Sequence, residues 1–274
     1  MGETRMADGE HGQDAFWVPT QSISDRDRFT YTVPQAACVG PHESQFLMGG
    51  VSMAACIHAL QVATELPLLW ATVQFAGATG LNADTDINIT RLAEGRSATQ
   101  AMADLTQNGR MIVHMAAALG GAPDGPQHQF VQMPDVPAPM DCAPSRDIPF
   151  ARPDNLAGRI ERREAYQNDK TGEEYVWVRV RDTGIPDVPL LALMSDFFLG
   201  AHSKTRGGRS LDNTVRMHAP ATSDWVLNVT RMSGFASGVA HGTLHQFDEA
   251  GTLLTTASQT GFMARPQNLP EDER

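Results

Sequence analysis

The chain has 274 residues, 41% of them hydrophobic, which suits one large domain or two small ones with a buried core. Its formal net charge of −11 argues against broad binding to nucleic acid or to an acidic membrane surface. The three cysteines are scattered without metal-ligand spacing, and no apolar run approaches the ~18 residues of a membrane helix. We therefore expect a cytoplasmic protein without a disulfide framework that binds neither nucleic acid nor membranes.

The first unit is predicted over residues 15–119, after a polar, Gly-rich stretch at 1–14 that is expected to be a flexible tail. A strand is predicted over 27–33, and Gly49-Gly50 then opens a helix over 51–63 that is apolar nearly all round. Such a helix must be buried, so strands must wrap it. The strands that follow are predicted over 71–75, 86–92, 97–107 and 110–119, and tight turns make them antiparallel.

The second unit is predicted over residues 151–266, after a linker at 120–150 that is crowded with proline and glycine. Its helix is predicted over 188–199, and residues 267–274 form a polar tail. Its strands are predicted over 158–164, 174–181, 211–217, 225–232, 237–246 and 252–263. Each unit is thus a buried helix wrapped by antiparallel strands, and we predict the α+β class.

The two units are related by an internal repeat. Residues 72–75 match 214–217, residues 87–92 (Ile-Asn-Ile-Thr-Arg-Leu) match 227–232 (Leu-Asn-Val-Thr-Arg-Met), and residues 108–112 match 250–254. The offsets are 142, 140 and 142, in the same order along the chain. This pattern indicates one structural unit used twice. Positions at which the copies disagree become candidates for a functional site.

The last strand shows one such disagreement. Alternation places Ala117 on the inward, wholly apolar face of the first copy, and Gln259 takes its place in the second copy. A buried amide without partners costs roughly 1–3 kcal/mol, so we expect Gln259 to have hydrogen-bond partners. An inward glutamine bonded only to backbone is a common structural alternative.

Asp196 and Ser210 are two further disagreements. Asp196 is the only charge in the helix predicted over 188–199, and the matching part of the first copy is uncharged. A buried carboxylate needs hydrogen-bond donors or water, although a helical Asp can also be a cap or exposed. Ser210 begins the next strand, opposite Leu68 of the first copy. Together the three asymmetries predict a site in the second unit.

The chain resembles the type II (TesB-like) acyl-CoA thioesterases, which have a double hot-dog fold. The resemblance covers about residues 15–266, and it is strongest at 46–50 (Phe-Leu-Met-Gly-Gly), 195–197 (Ser-Asp-Phe), 210–212 (Ser-Leu-Asp) and 251–261. It implies two antiparallel sheets, each wrapping a buried helix, fused into one continuous sheet. It also implies a homo-oligomer without cofactor or metal. Two departures are a Ser where the family often has Thr and a shorter connection between positions 196 and 210.

In that family an Asp, a Thr or Ser and a Gln hold and activate a water, and these roles fall on Asp196, Ser210 and Gln259. The resemblance therefore implies hydrolysis of acyl-CoA to free fatty acid and CoA without a covalent intermediate. Asp196 would act as general base or orient the water, and Gly49 and Gly50 would bind substrate. Backbone N–H groups at a helix N-terminus would hold the oxyanion.

Two alternatives remain open at the level of sequence. One is a hot-dog hydratase or dehydratase, because Asp196 and His202 keep the ends of an Asp-x-Asn-Pro-x-His-like motif but lack its Asn-Pro. The other is a protein that binds acyl-CoA or lipid without catalysis.

Overall fold

The computed structural model describes residues 15–122 and 124–264, so the two predicted tails lie outside the described residues. The α-helices in the described ranges are α1 (Gly49–Thr64), α2 (Leu156–Arg159) and α3 (Val188–Ser195). The strands are β1 (Thr20–Gln21), β2 (Arg28–Thr32), β3 (Cys38–Val39), β4 (Phe46–Leu47), β5 (Leu68–Phe75), β6 (Asp84–Glu94), β7 (Ala98–Gln107), β8 (Arg110–Gly120), β9 (Ala143–Pro144), β10 (Ile160–Asn168), β11 (Glu173–Val180), β12 (Arg209–Met217), β13 (Val226–Ala236), β14 (Val239–Phe247) and β15 (Leu253–Phe262). Short 3-10 helices lie at Gln35–Ala37, His42–Ser44, Pro139–Asp141 and Phe198–Gly200.

One antiparallel sheet joins the two units. Its strand order is β1-β2-β6-β7-β8-β5-β12-β15-β14-β13-β11-β10-β9, and β3 and β4 form a separate small hairpin. The units meet where β5 pairs with β12. There Thr72 lies opposite Thr214, one repeat of 142 residues away, and the two hydroxyl oxygens are 3.0 Å apart. The predicted α+β double hot-dog, with the two sheets fused into one, is confirmed.

The sheet register corrects one of the three repeat matches. Ile87 on β6 points inward and is fully buried, whereas Leu227, its sequence match, packs on the outer face beneath the linker. The residue that takes the place of Ile87 is Asn228, because Ile87 pairs with Leu105 as Asn228 pairs with Gln246. The offset in these strands is therefore 141, and the similarity at offset 140 is out of register by one residue.

The two central helices differ in length. α1 has 16 residues, of which 12 are buried, as expected for a helix that is apolar on all sides. α3 has only eight residues, and the prediction that it continues to residue 199 is wrong. After Met194 the hydrogen bonds change to the shorter spacing of a 3-10 helix, because the Asp196 N–H donates to Leu193 O, three residues back. The Ser195 hydroxyl also donates to the backbone, at Ala192 O.

A buried polar row holds the end of this shorter helix. Asn228 Nδ2 donates to Met194 O, Gln246 Nε2 donates to Asn228 Oδ1, and the Thr255 hydroxyl donates to Gln246 Oε1. The same row of the first unit is apolar and consists of Ile87, Leu105 and Val113. The second unit has therefore replaced apolar packing by hydrogen bonds at the point where its helix stops.

The second unit also begins differently from the prediction. Residues 158 and 159, predicted as strand, belong to α2, and β10 starts at Ile160. The Asn155 side chain accepts from the Gly158 N–H and caps this single helical turn. In the linker, Pro137 O accepts from Trp177 Nε1 on the outer face of β11. None of the helices in the described ranges is long and apolar enough to cross a membrane.

The segment after α3 packs onto the sheet at two glycines. Phe198 lies over Gly242 of β14, where a Cβ would stand 2.5 Å from the ring, and Leu199 lies over Gly261 of β15, where a Cβ would stand 2.8 Å from its methyl groups. Small residues on these strands thus give the post-helical segment the room that it needs.

We predict that Gly242→Ala destabilises the protein by roughly 1–3 kcal/mol, because the new methyl group collides with both Phe198 and Arg231 O. Thermal unfolding measures the change. Gly80→Ala is the matched control, since its Cβ would be 3.4 Å from the nearest heavy atom, Gln45 O. Equal melting temperatures for the two variants would contradict this packing.

Candidate active site

The carboxylate of Asp196 lies where α3 ends and is buried, with 7% of its surface exposed. Its Oδ1 accepts hydrogen bonds from Gln259 Nε2 at 2.5 Å and from Ser210 Oγ at 3.1 Å. Gln259 Nε2 also donates to Ser210 Oγ at 2.7 Å. The structure therefore brings together the three residues singled out by the repeat comparison, and the alternative that Gln259 bonds only to backbone is wrong.

Strand register explains why these side chains meet. Ser210 on β12 lies opposite Gly261 on the neighbouring β15, and a bulge follows between Ser210 and Asp212. Gln259 is two residues from Gly261 on the same inward face, so Ser210 and Gln259 are diagonal neighbours. Because both amide hydrogens of Gln259 point to Asp196 and Ser210, its Oε1 is left as a buried acceptor with no partner among the described residues.

The first unit completes the site with Gly49 and Gly50, the first two residues of α1. The Gly50 backbone N–H hydrogen-bonds to Asp196. A Cβ at Gly49 would lie 2.9 Å from Asp196 Oδ2, and a Cβ at Gly50 would lie 2.7 Å from Leu193 O. Glycine is thus required for α1 to approach the carboxylate so closely, and the site spans both units.

The N-termini of the two helices are prepared differently. The N-terminus of α3 is capped by Asp187, whose side chain accepts from the Leu190 N–H at 2.8 Å, and a proline follows in the first turn. α1 has Met48 at its N-cap and no side-chain cap. The first N–H groups of a helix lack intrahelical partners and attract negative charge. The start of α1 therefore has backbone donors that no side chain caps, and its Gly50 N–H is directed at Asp196, whereas the start of α3 is capped by Asp187.

Burial controls the ionisation of Asp196. It raises the pKa of this carboxyl to about 6, while the hydrogen bonds from Gln259, Ser210 and Gly50 act in the opposite direction. No charged side chain among the described residues contributes to this shift. The carboxyl is thus ionised above about pH 6 and can accept a proton near neutrality.

His202 is not part of this cluster. Its Nε2 bonds to Asp169 O at 3.1 Å, its Nδ1 accepts from the Lys204 N–H, and its ring packs edge-on against Phe235. These contacts do not support an Asp196–His202 pair of the hydratase kind. Within residues 15–122 and 124–264, no group of three His, Cys, Asp or Glu side chains could hold a metal ion.

Sequence reasoning missed Asn213. This residue lies on β12 directly opposite Gln259, is fully buried, and donates from Nδ2 to Ser195 Oγ at 3.0 Å. The first unit has Ala71 at the same place, paired with Ala117. The repeat offset of 142 that singled out Gln259 also places Asn213 on Ala71, so the signal was present in the sequence.

The fold is a double hot-dog, and comparisons with known proteins identify the family to which it belongs. Sequence models of the acyl-CoA thioesterase N-terminal and C-terminal domains match residues 40–120 and 134–263. A structure from Novosphingobium aromaticivorans, described as that of a thioesterase, is 30% identical over 92% of this chain and all of that chain, with a TM-score of 0.85. The chain belongs to the acyl-CoA thioesterase family.

Two mycobacterial structures share the fold. The tesB protein of Mycobacterium avium subspecies paratuberculosis is 18% identical, covering 92% of this chain and 97% of that chain, with a TM-score of 0.75. The acyl-CoA thioesterase II TesB2 of Mycobacterium marinum is 20% identical, covering 92% and 98%, with a TM-score of 0.74. No curated protein matches the chain in sequence.

We predict that Asp196→Asn stabilises the fold at pH 8 by about 3 kcal/mol and that this gain disappears towards pH 4. The folded-state pKa of Asp196 is about 6 against an ordinary value of 3.8, so its contribution to stability is complete below 3.8 and is lost as pH rises through 6. Asparagine keeps an acceptor for Gln259 and Ser210 but carries no charge. Urea unfolding of both proteins at pH 4 and pH 8 measures the difference, and a gain that is independent of pH would contradict the prediction.

Proposed function

We propose that this thioesterase hydrolyses acyl-CoA to free fatty acid and CoA by direct attack of a water that Asp196 activates. The observation that carries the proposal is the convergence of Asp196, Ser210 and Gln259, at hydrogen-bond distance, on the uncapped start of α1. A buried carboxylate with a pKa of about 6 is suited to general-base catalysis near neutral pH.

Each step follows from this geometry. The water oxygen attacks the thioester carbonyl carbon while Asp196 takes one of its protons. The tetrahedral intermediate then collapses, the carbon–sulfur bond breaks, and Asp196 returns the proton to the departing thiolate of CoA. The products are a carboxylic acid and free thiol, and no bond forms between the acyl group and the protein.

Gln259 and Ser210 orient the reacting groups. Their donors hold Asp196 Oδ1, which fixes the plane of the carboxylate. Gln259 Oε1 has two lone pairs and no partner among the described residues, so one lone pair can take the second hydrogen of the attacking water while the other stays available. The water would thereby present a lone pair to the substrate instead of a hydrogen.

The start of α1 supplies positive potential for the oxyanion. The thioester oxygen gains negative charge as the water attacks, and the first backbone N–H groups of a helix stabilise such charge. Gly49 and Gly50 keep this start of α1 beside Asp196, because a Cβ at either position would collide with Asp196 or with Leu193 O. We therefore assign substrate binding to these two residues and chemistry to the second unit.

We predict that Asp196→Asn lowers kcat for acyl-CoA hydrolysis by about 10²–10⁴-fold, because the general base is lost. Ser210→Thr keeps the hydroxyl and is expected to stay within about threefold of wild type, whereas Ser210→Leu, which installs the residue of the first unit, loses about 10²-fold. Thiol release from a panel of saturated acyl-CoAs of different chain lengths measures all three.

The wild-type rate is expected to fall as pH drops below about 6, where Asp196 becomes protonated.

Asp187→Asn is the matched control, since asparagine also caps helices and α3 does not open onto the site. It should leave kcat near the wild-type value. The wild-type protein, quenched during turnover and weighed by denaturing mass spectrometry, should carry no acyl group. Full activity of Asp196→Asn, or an acylated enzyme that forms and decays at the turnover rate, would contradict the mechanism.

A further inference from the structure

We propose that Asn213 is a fourth residue of this site, which positions Gln259 through one buried water shared by Asn213 Oδ1 and Gln259 Oε1. The kinetic part of this inference rests on the proposed function. The water site itself does not, because it follows from burial, strand register and hydrogen-bond balance.

Strand register brings the two side chains together. Asn213 and Gln259 are directly opposite each other on β12 and β15. Both are buried, with 0% and 4% of their surfaces exposed. Opposite residues on one face of an antiparallel pair have Cβ atoms about 4.5–5.5 Å apart, so two carboxamides at these positions are within reach of a single bridging molecule.

The unsatisfied acceptors of Asn213 and Gln259 indicate what lies between the two side chains. Asn213 Oδ1 and Gln259 Oε1 are both buried acceptors, and neither has a hydrogen-bond partner among the described residues. Two carbonyl oxygens cannot satisfy each other, because both only accept. A water molecule offers two donors and is the usual partner of buried polar groups that the chain leaves unsatisfied.

The other end of Asn213 is already fixed. Its Nδ2 donates to Ser195 Oγ, and that hydroxyl donates to Ala192 O. Ser195 immediately precedes Asp196, so Asn213 ties the last turn of α3 to β12. With Nδ2 held in this way, Oδ1 has one orientation in which to accept from the water.

The bridge would choose between the two amide orientations of Gln259. With Oε1 held by the water, Nε2 must face Asp196 and Ser210, as observed. Without the bridge, the amide is free to rotate and the carboxylate loses a donor. The first unit has Ala71 opposite Ala117, so it contains neither member of the bridge.

A crystal structure of the wild-type chain at about 1.5 Å resolution tests the water site directly. The expected result is one ordered water within hydrogen-bond distance of both Asn213 Oδ1 and Gln259 Oε1. A protein donor on Asn213 Oδ1, or the absence of a shared water, would overturn the inference. This outcome is independent of whether the protein hydrolyses acyl-CoA.

The pH dependence of kcat tests the positioning role. In Asn213→Ala we expect kcat to fall about tenfold, with KM within about twofold of wild type. We also expect the acid limb of the pH profile, where kcat falls as Asp196 becomes protonated, to move up by about half a pH unit or more. The limb moves because the Gln259 hydrogen bond holds the pKa of Asp196 down, and a rotating amide holds it less.

Asn228→Ala is the control for a purely structural loss. Asn228 is also a buried asparagine bonded to the end of α3, but both ends of its amide are satisfied, by Met194 O and Gln246 Nε2. It should lower the melting temperature and leave the acid limb in place. A folded Asn213→Ala protein with an unshifted limb, or an equal shift in Asn228→Ala, would overturn the positioning role.

Discussion

The site depends on the burial of the Asp196 carboxylate, away from bulk solvent, at the junction of two helices. Burial of a charge is unfavourable, and hydrogen bonds from Gln259, Ser210 and the Gly50 N–H offset part of this cost. No cation of the described residues contributes to the pKa shift. With hydrogen bonds alone, the pKa of Asp196 stays near 6. A paired lysine or arginine would lower it below the ordinary value of a carboxyl group. The cost to stability and the suitability for proton transfer therefore have the same physical origin.

Duplication made such a site possible without sacrificing the core. The first unit keeps apolar residues at Leu68, Ala71 and Ala117, and it contributes the long buried helix α1. The second unit carries polar residues at the matching places, and its helix is half as long. The fused sheet brings the uncapped start of α1 to the end of α3, so in the proposed mechanism one unit supplies the base and the other supplies backbone donors.

Much of this arrangement could be predicted from the chain alone. Period-two alternation and turn residues located the long strands to within a few residues, and the comparison of the copies found Asp196, Ser210 and Gln259. The end of α3 could not be found in this way, because apolar residues 197–199 continue the helical pattern. The end is instead marked by hydrogen bonds from the Ser195 hydroxyl to Ala192 O and from Asn228 Nδ2 to Met194 O. The apolar character of residues 197–199 serves to pack Phe198 and Leu199 onto glycines of distant strands.

The register error in β6 and β13 has a similar cause. Local likeness of 87–92 to 227–232 favoured an offset of 140, but cross-strand pairing requires 141, because Asn228 and not Leu227 occupies the inward place of Ile87. In the second unit both faces of β13 are buried, one by the core and one by the linker, so hydrophobicity does not distinguish them. The polar row at Asn228 became visible only with the pairing of the strands.

We propose one active site per chain, with its chemistry in the second unit. Calorimetric titration of Asp196→Asn with a saturated acyl-CoA, with thiol release followed in parallel, measures both the number of sites per chain and the contribution of the carboxylate to turnover. We expect one molecule bound per chain and thiol release slowed by orders of magnitude. Two equivalent sites per chain, or release at the wild-type rate, would contradict this proposal.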